Sequence, residues 1–223
     1  MKFKTDFKNR FTGRHKACLN IAEYKNKKIL DIGCSYGWFE KNIAIQAKEI
    51  VGIDLNKEDL KIAKKECQSK KVKFNFGSAL NLKNIKKDYF DVVVMFDVIE
   101  HLPKNSEPLA LKEIKRVIKK NGKLIISTPL DNFSKFLDPA WYFGHRHYSE
   151  EKIRKILENK GFRIEKVEKL GGFWEVFSML LFYPCKWIFN SEIPFKNIFD
   201  IKRDEEYLNK KGFSTLFVVV KKE

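Results

Sequence analysis

Short apolar runs alternate with amphipathic segments through most of this chain. Runs such as 28–31 (KILD) and 90–96 (FDVVVMF) have the length and composition of buried strands. Between such runs the apolar residues recur at helical spacing, for example in 38–47. Strands separated by helices in this order are typical of a parallel α/β sheet with helices on both faces. The predicted strands are 28–31, 49–54, 72–76, 90–96, 123–127, 163–170 and 215–220.

Capping residues predict where several of the helices begin and end. Asn56 and Ser149 each precede an apolar helical pattern and can accept hydrogen bonds from the first free backbone N–H groups. Asp59, three residues after Asn56, predicts a capping box. The pair Asn121-Gly122 predicts the end of the helix that Ser106 begins.

Two segments do not follow the alternation. We expect residues 1–26 to form an N-terminal helical extension and residues 27–223 to form a single domain. Residues 171–212 are predicted to be an apolar insertion before the last strand. Its most apolar part, 173–189, is too interrupted to cross a bilayer, which needs about 20 apolar residues in a row. The interruptions are Glu175, Pro184 and Lys186.

The apolar side chains of the insertion cover nearly the whole circumference of the helix predicted at 173–189. Such a helix cannot leave one face in water, so we consider three alternatives for it. It forms a lid over the substrate pocket, or the face of a homodimer, or a peripheral contact with an anionic membrane.

The net charge bears on the choice of partner. The chain has 45 Lys and Arg residues against 29 Asp and Glu residues, which gives a formal net charge of +16. Such a charge suits nucleic acid, an anionic membrane or an acidic small molecule. The cations are spread along nearly every segment and form no long block, which favours an ordinary solvated surface over a nucleic-acid tract.

The cysteines bear on the compartment. The four of them lie far apart without a CxxC pair, so neither a zinc site nor a disulfide framework is expected. No secretory pattern follows Met1. These features predict a cytoplasmic protein, at the inner face of the membrane if the insertion contacts lipid.

Chemistry-bearing residues follow the first two predicted strands. The glycine turn Gly33-x-x-x-Gly37 lets the backbone approach a ligand, and the next helix begins there with free N–H groups. Asp54 ends the second strand, where a carboxylate can accept hydrogen bonds from two ribose hydroxyls. A dinucleotide site has Gly-x-Gly-x-x-Gly instead. Asp31 would repel a pyrophosphate but suits the ammonium of an amino acid, so we predict a pocket for a nucleoside that carries one.

Four motifs together resemble the class I S-adenosylmethionine-dependent methyltransferases, in the branch of the ubiquinone-biosynthesis O-methyltransferases. They are ILDIGCSYGWFE with VGIDLN, FDVVVMFDVIEHL, NGKLIISTP and HRHYSEEKIRKILENKGF. The likeness covers roughly residues 27–170 and the final strand. It implies a Rossmann-like, doubly wound, mostly parallel seven-stranded sheet whose last strand is antiparallel, with S-adenosylmethionine as the cofactor.

The resemblance also implies a role for individual residues. It places two elements around the methionine part of the cofactor. These are the end and turn of the first strand, with Asp31, Gly33, Cys34 and Gly37, and the end of the fourth strand, with Phe96. It assigns the ribose to Asp54, the adenine face to Leu55, and the adenine edge to the turn that contains Ser78 and Ala79. Family members often have Asp where Ser78 stands. Asp97 begins the loop that faces the methyl acceptor.

Three residue groups are candidates for the chemistry at the acceptor. His101 is predicted to be the catalytic general base, and the alternative is a structural histidine that holds its loop. A second alternative is a divalent metal ion bound by Asp97, Glu100 and His101. His145 and His147 follow an aromatic patch, and we expect them to contact the acceptor.

The sequence does not identify the acceptor. We predict methyl transfer to a small-molecule or lipid- or sugar-linked acceptor, at oxygen. The alternative is an RNA methyltransferase, which the net charge of +16 would suit. Against it, the chain has no Asn-Pro-Pro-Tyr-like motif after the fourth strand. A non-catalytic subunit on the same fold and a nicotinamide dehydrogenase are further alternatives, and the glycine spacing disfavours the dehydrogenase.

Overall fold

A computed structural model describes residues 12–142, 144–188, 190–191, 196–209 and 212–223. Seven strands form one sheet in the order β3-β2-β1-β4-β5-β7-β6. Only β7 is antiparallel to its neighbours, which are β5 and β6. The strands are β1 (Lys28–Ile32), β2 (Glu49–Asp54), β3 (Val72–Phe76), β4 (Phe90–Phe96), β5 (Ile118–Pro129), β6 (Phe162–Leu170) and β7 (Thr215–Lys222).

Helices cover both faces of the sheet. An apolar cluster that includes Ile114 and Leu157 lies on one face of the sheet, and a second cluster that includes Phe39 and Ala63 lies on the other face. The predicted doubly wound, mostly parallel α/β fold is therefore confirmed. The helices are α1 (Gly13–Asn20), α2 (Trp38–Ile43), α3 (Lys57–Glu66), α4 (Glu107–Val117), α5 (Pro139–Tyr142), α6 (Glu150–Glu158), α7 (Phe173–Trp187) and α8 (Lys196–Leu208). Two short 3-10 turns span Ile99–His101 and Phe133–Leu137.

Two of the predicted helix starts are confirmed. The Asn56 side chain accepts hydrogen bonds from Glu58 N at 3.0 Å and Asp59 N at 3.3 Å, and Ser149 Oγ accepts from Lys152 N at 3.2 Å. The predicted capping box was wrong. Asn56 N donates to Asp54 at 2.7 Å, so Asp59 has no donor to accept from at that position.

Two helix ends differ from the prediction. The helix after Ser106 ends at Val117 rather than at Asn121-Gly122, and that pair lies inside β5. Asn121 has a φ of 63°, and the pairing of β4 with β5 shifts register beside it. A left-handed residue such as Asn121 occurs in a β-bulge as well as at a helix end, which explains the wrong prediction. The helix predicted at 38–47 ends early, at Ile43.

The N-terminal extension and the insertion pack against each other. Asp204 of α8 accepts hydrogen bonds from Gly13 N and, at 3.0 Å, from Lys16 Nζ of α1. Glu206 of α8 accepts three backbone N–H groups at the start of α7, with distances from 2.7 to 3.1 Å. The described part of each segment is thus helical, whereas residues 1–11, Phe189, 192–195 and 210–211 lie outside the described residues. No helix in the described ranges is long and apolar enough to cross a membrane.

Candidate active site

A cavity of about 400 Å³ opens where β1, β2 and β4 end. Parallel α/β sheets bind their ligands at this edge. The cavity brings together Gly33, Asp54, Leu55, Ser78 and Ala79, which the sequence predicted at a cofactor site, with Asp97 and His101. Leu55 is 64% exposed at the rim, so a flat ring could bind against it.

The glycine turn after β1 has the geometry of a close backbone approach. Gly33 and Gly37 have φ values of 82° and 78°, in the left-handed region that favours glycine. A Cβ on Gly33 would lie 2.3 Å from Val98, so a side chain at this position would clash with the wall of the cavity.

The Asp54 carboxylate joins the loop after β1 to the loop after β2. One oxygen accepts a hydrogen bond from Ser35 N at 2.8 Å, and the other accepts from Asn56 N at 2.7 Å. Each carboxylate oxygen has a second lone pair. Because Asp54 lines the cavity, these lone pairs can accept hydrogen bonds from a ligand's hydroxyls.

A smaller cavity of about 80 Å³ is lined by Gly33, Asp31 and Phe96. Asp31 is buried, and the fully buried Glu40 lies beside it. Burial and the nearby Asp54 raise the pKa of Asp31 to about 7. Burial and Asp31 raise the pKa of Glu40 well above its ordinary range. This pair of carboxyl groups therefore retains a proton near neutral pH.

Two of the predicted cofactor residues line neither cavity. Cys34 is buried in the apolar cluster that includes Phe39 and Phe74. Gly37 begins α2, and a Cβ there would lie 2.9 Å from the Phe74 ring. Both residues shape the turn from within the fold, and a contact with the cofactor through their backbone stays a prediction.

A third cavity, of about 170 Å³, contains all the residues predicted at the acceptor, namely Asp97, His101, His145 and His147. Its wall includes Glu175, Val176 and Met179 of α7, so the insertion contributes to it directly. Asp97 lines all three cavities, and His101 lines this one and the cavity of about 400 Å³. The three cavities therefore meet at the loop after β4.

The Asp97 side chain is held by two partners. Its backbone has a φ of 55°, and its carboxylate accepts hydrogen bonds from Ser127 Oγ at 3.0 Å and from the Arg14 guanidinium. Arg14 also lies 3.9 Å from Glu175 of α7. Arg14 was not predicted from the sequence, because one cation among 45 gives no signal that it will meet a carboxylate 83 residues away.

His101 lies between the cofactor-side and acceptor-side cavities, with its Nε2 3.2 Å from Nε2 of His145. Burial and the nearby His145 lower the pKa of His101 below its usual value of 6.5. The ring is therefore neutral at neutral pH and can accept a proton.

The metal ligands predicted from the sequence do not assemble as a group. Asp97 binds Arg14 and Ser127, whereas Glu100 and His101 come together with His145. Glu100 is buried and accepts a hydrogen bond from Thr128 Oγ1 at 3.1 Å. Burial and Asp97 raise the pKa of Glu100 to about 8.

Arg146 turns away from the acceptor cavity, although it stands between the two histidines in the sequence. Its guanidinium donates to the carbonyl oxygens of Ile99 at 2.9 Å and Glu100 at 3.2 Å, and to the Glu107 carboxylate at 2.5 Å. Arg146 thereby fixes the loop that carries His101. This structural role had no local signal in the sequence.

Comparison with known proteins identifies the family. The profile of the methyltransferase domain family matches residues 9–167, most of the chain. The chain therefore belongs to this family. The methyltransferase class that its motifs predict is confirmed.

Two curated relatives are both ubiquinone biosynthesis O-methyltransferases. The one from Pelagibacter ubique is 35% identical over 106 residues, 47% of this chain and 42% of the relative. The one from Photobacterium profundum is 27% identical over 113 residues, 50% of this chain and 47% of the relative. The match thus spans less than half the length of these relatives.

Solved structures share the fold at low sequence identity. An S-adenosylmethionine-dependent methyltransferase from Mesorhizobium loti superposes with a TM-score of 0.68 at 15% identity, over 94% of this chain and 98% of that one. A TehB-like S-adenosylmethionine-dependent methyltransferase from Corynebacterium glutamicum has a TM-score of 0.62 at 18% identity, over 97% of this chain and 90% of that one. At these identities the likeness shows the fold alone.

Proposed function

We propose that this protein transfers the methyl group of S-adenosylmethionine to an oxygen of a small-molecule acceptor. One observation carries the proposal: His101 lies between the cavity that holds Asp54 and the cavity that holds His145 and His147. A neutral base at that point can meet a hydroxyl on one side and a reactive methyl group on the other.

The residues present fit the cofactor. The free lone pairs of Asp54 can accept from two ribose hydroxyls, and Leu55 and Ala79 offer apolar surface to an adenine. The buried Asp31 carboxylate suits the ammonium of the methionine part, because a cation beside it would favour its ionised form. The bound cofactor supplies a methyl group on a good leaving group, so the protein has mainly to orient the acceptor and remove its proton.

We assign the removal of that proton to His101. The pKa of His101 is low enough for the ring to be neutral, and its Nε2 can share a proton with His145 Nε2 at 3.2 Å. Arg14 offsets the charge of Asp97 at the junction of the cavities, so the acceptor oxygen does not approach an unpaired carboxylate. Oxygen as the methylated atom is also supported by the names of the two O-methyltransferase relatives.

The acceptor site is proposed to lie under α7. The buried Val176 and Glu175 of this helix face the cavity of about 170 Å³, while Trp174 and Phe177 pack on Phe199 of α8. This arrangement supports the lid alternative for the inner face of the insertion. The volume suits a small ring or the head of a larger, lipid-linked molecule whose remainder extends outward.

Exposed apolar side chains on α7, and on the segment between β5 and α6, support a second proposal, a peripheral contact with an anionic membrane at the inner face of the cell. The net charge of +16 favours anionic lipid. The exposed side chains are large. They are Phe133, Phe136, Tyr142, Phe173, Phe182 and Ile188.

A methyl-transfer screen tests the proposed function. The full chain is incubated with S-adenosylmethionine labelled in its methyl group, against phenols, catechols, carboxylates, lipid-linked sugars and bulk tRNA. We expect label on an oxygen of a small or lipid-linked molecule. Label on tRNA, with binding that falls steeply on a log–log plot against salt, would establish the RNA methyltransferase alternative instead.

A further inference from the structure

Three side chains of types that can ligate a metal ion come together in the lining of the acceptor cavity, and none of them lines the cavity that contains Asp54. They are Asp138, His145 and His147, and their ligand atoms lie within 4.8 Å of one another. Asp138 Oδ2 lies 3.0 Å from His147 Nε2 and 3.7 Å from His145 Nδ1. The side chains of Asp138 and His147 are 6% and 5% exposed, and that of His145 is 18% exposed. The cluster is thus shielded but still borders the cavity.

The hydrogen bonding of His147 determines which of its ring nitrogens is free. Its Nδ1 lies 3.3 Å from the carbonyl oxygen of Leu130, and a carbonyl can only accept, so Nδ1 carries the proton. In the neutral ring, Nε2 is then a bare lone pair, and it faces an Asp138 oxygen that is also an acceptor. Two acceptors 3.0 Å apart repel each other unless a cation or an additional proton lies between them.

His145 offers a further lone pair at the same point. Its Nε2 is 3.2 Å from His101, and its Nδ1 is buried without a hydrogen-bond partner in the part of the chain that the structure describes. If Nε2 donates to the neutral His101 ring, Nδ1 is an acceptor directed towards Asp138. A protein that binds a metal through histidine commonly fixes the ring by such a hydrogen bond from the other nitrogen.

We propose that Asp138, His145 and His147 bind one divalent transition-metal ion, such as Zn²⁺. Two imidazole nitrogens and one carboxylate oxygen form a ligand set that zinc and its neighbours prefer over Mg²⁺ or Ca²⁺. Three protein ligands leave a coordination position open on the side of the cavity of about 170 Å³. An acceptor oxygen could occupy that position, and this last step alone depends on the proposed function.

A second group of candidate ligands, Glu100 and His101 with His145, is the competing site. In that group Glu100 already accepts a hydrogen bond from Thr128. Among the described residues, no backbone carbonyl accepts from the His101 ring as that of Leu130 accepts from His147. The experiment must therefore separate the two groups.

Titration with Co²⁺ is the test, because this ion absorbs visible light when nitrogen and oxygen ligands bind it in a low-symmetry site. The full chain is used without a histidine tag. We expect wild type to bind one equivalent, and Zn²⁺ to displace it. Asp138→Asn and His147→Gln should weaken binding at least about 10-fold. Asp131→Asn, which alters an exposed carboxylate nearby, and His101→Gln should retain it.

Each outcome decides the assignment. Wild type without Co²⁺ or Zn²⁺ binding at millimolar metal would overturn it, and would leave Asp138 and His147 as an ion pair with a protonated ring. Loss of binding in His101→Gln but not in Asp138→Asn would assign the metal to the competing site. Circular dichroism of each variant shows whether it folds, and the wild-type titration does not depend on any variant. Binding of S-adenosylhomocysteine to the same samples tests the cofactor site separately.

Discussion

Substitution of Asp54 tests the assignment of the ribose site. In the folded chain its two oxygens accept from Ser35 N and Asn56 N, and only their remaining lone pairs are available to a ligand. Hydrogen bonds to a charged group contribute about 1.5–3 kcal/mol each, and part of that is retained by water when one is lost. We therefore expect Asp54→Asn to weaken binding of S-adenosylhomocysteine by about 1–3 kcal/mol, roughly 5-fold to 150-fold in Kd.

Asp54→Asn also leaves one loop N–H without its acceptor, so a weaker affinity alone could report a disturbed loop. Isothermal titration calorimetry with the 2′-deoxy analogue of S-adenosylhomocysteine separates the two causes. Wild type should lose affinity for the analogue, whereas Asp54→Asn should bind both ligands nearly equally. Asp88→Asn, at an exposed carboxylate that pairs with Lys222, is the matched control and should bind like wild type. If wild type and Asp54→Asn lose the same factor on removal of the hydroxyl, Asp54 does not bind the ribose.

Three further predictions follow from the site and the surface. His101→Gln should lower kcat about 100-fold with little change in cofactor affinity. Because the pKa of His101 is lowered, wild-type kcat should fall only below about pH 6.5. Unchanged turnover in the variant would leave His101 a structural role. Glu40 has a raised pKa in the folded state, so the free energy of unfolding should fall as the pH rises from about 4.5. In urea titrations between pH 4 and 8, Glu40→Gln should show a weaker dependence of this free energy on pH. Equal pH dependence in the variant and wild type would mean that Glu40 ionises normally. The full chain should float with anionic vesicles at low salt. The double variant Phe173→Ser, Phe182→Ser should float less, whereas the control Ile45→Ser, at a residue that is 92% exposed elsewhere on the surface, should float like wild type. If wild type does not float, the membrane proposal is wrong.

Local patterns predicted most of the fold correctly. Each predicted strand is present, because a buried strand requires a short apolar run wherever it lies, as 90–96 illustrates. The helix stop at Asn121-Gly122 failed for a physical reason. The left-handed backbone of Asn121 is compatible with a helix end and with a β-bulge, and only the pairing of β5 with β4 and β7 selects the bulge.

The sequence predicted some residues of the candidate site and not others. Asp31, Gly33 and Asp54 lie at or directly after the ends of strands, so their position at one edge of the sheet could be predicted from the sequence. Contacts between distant segments could not be predicted from the sequence. Arg14 reaches Asp97 from the first helix, and Asp138 reaches His147 through the fold of the segment after β5. Neither residue belongs to a spacing pattern, and side-chain identity alone does not indicate which charges will meet.

A crystal structure of the full chain with S-adenosylhomocysteine would test the assignment of the cofactor site. We expect density for the nucleoside in the cavity of about 400 Å³, with both ribose hydroxyls on Asp54 and the amino group directed at Asp31. We also expect the sulfur to lie at the junction beside Asp97, within reach of a small acceptor held near His101. Density for the ligand elsewhere, or a ribose turned away from Asp54, would show that this assignment is wrong.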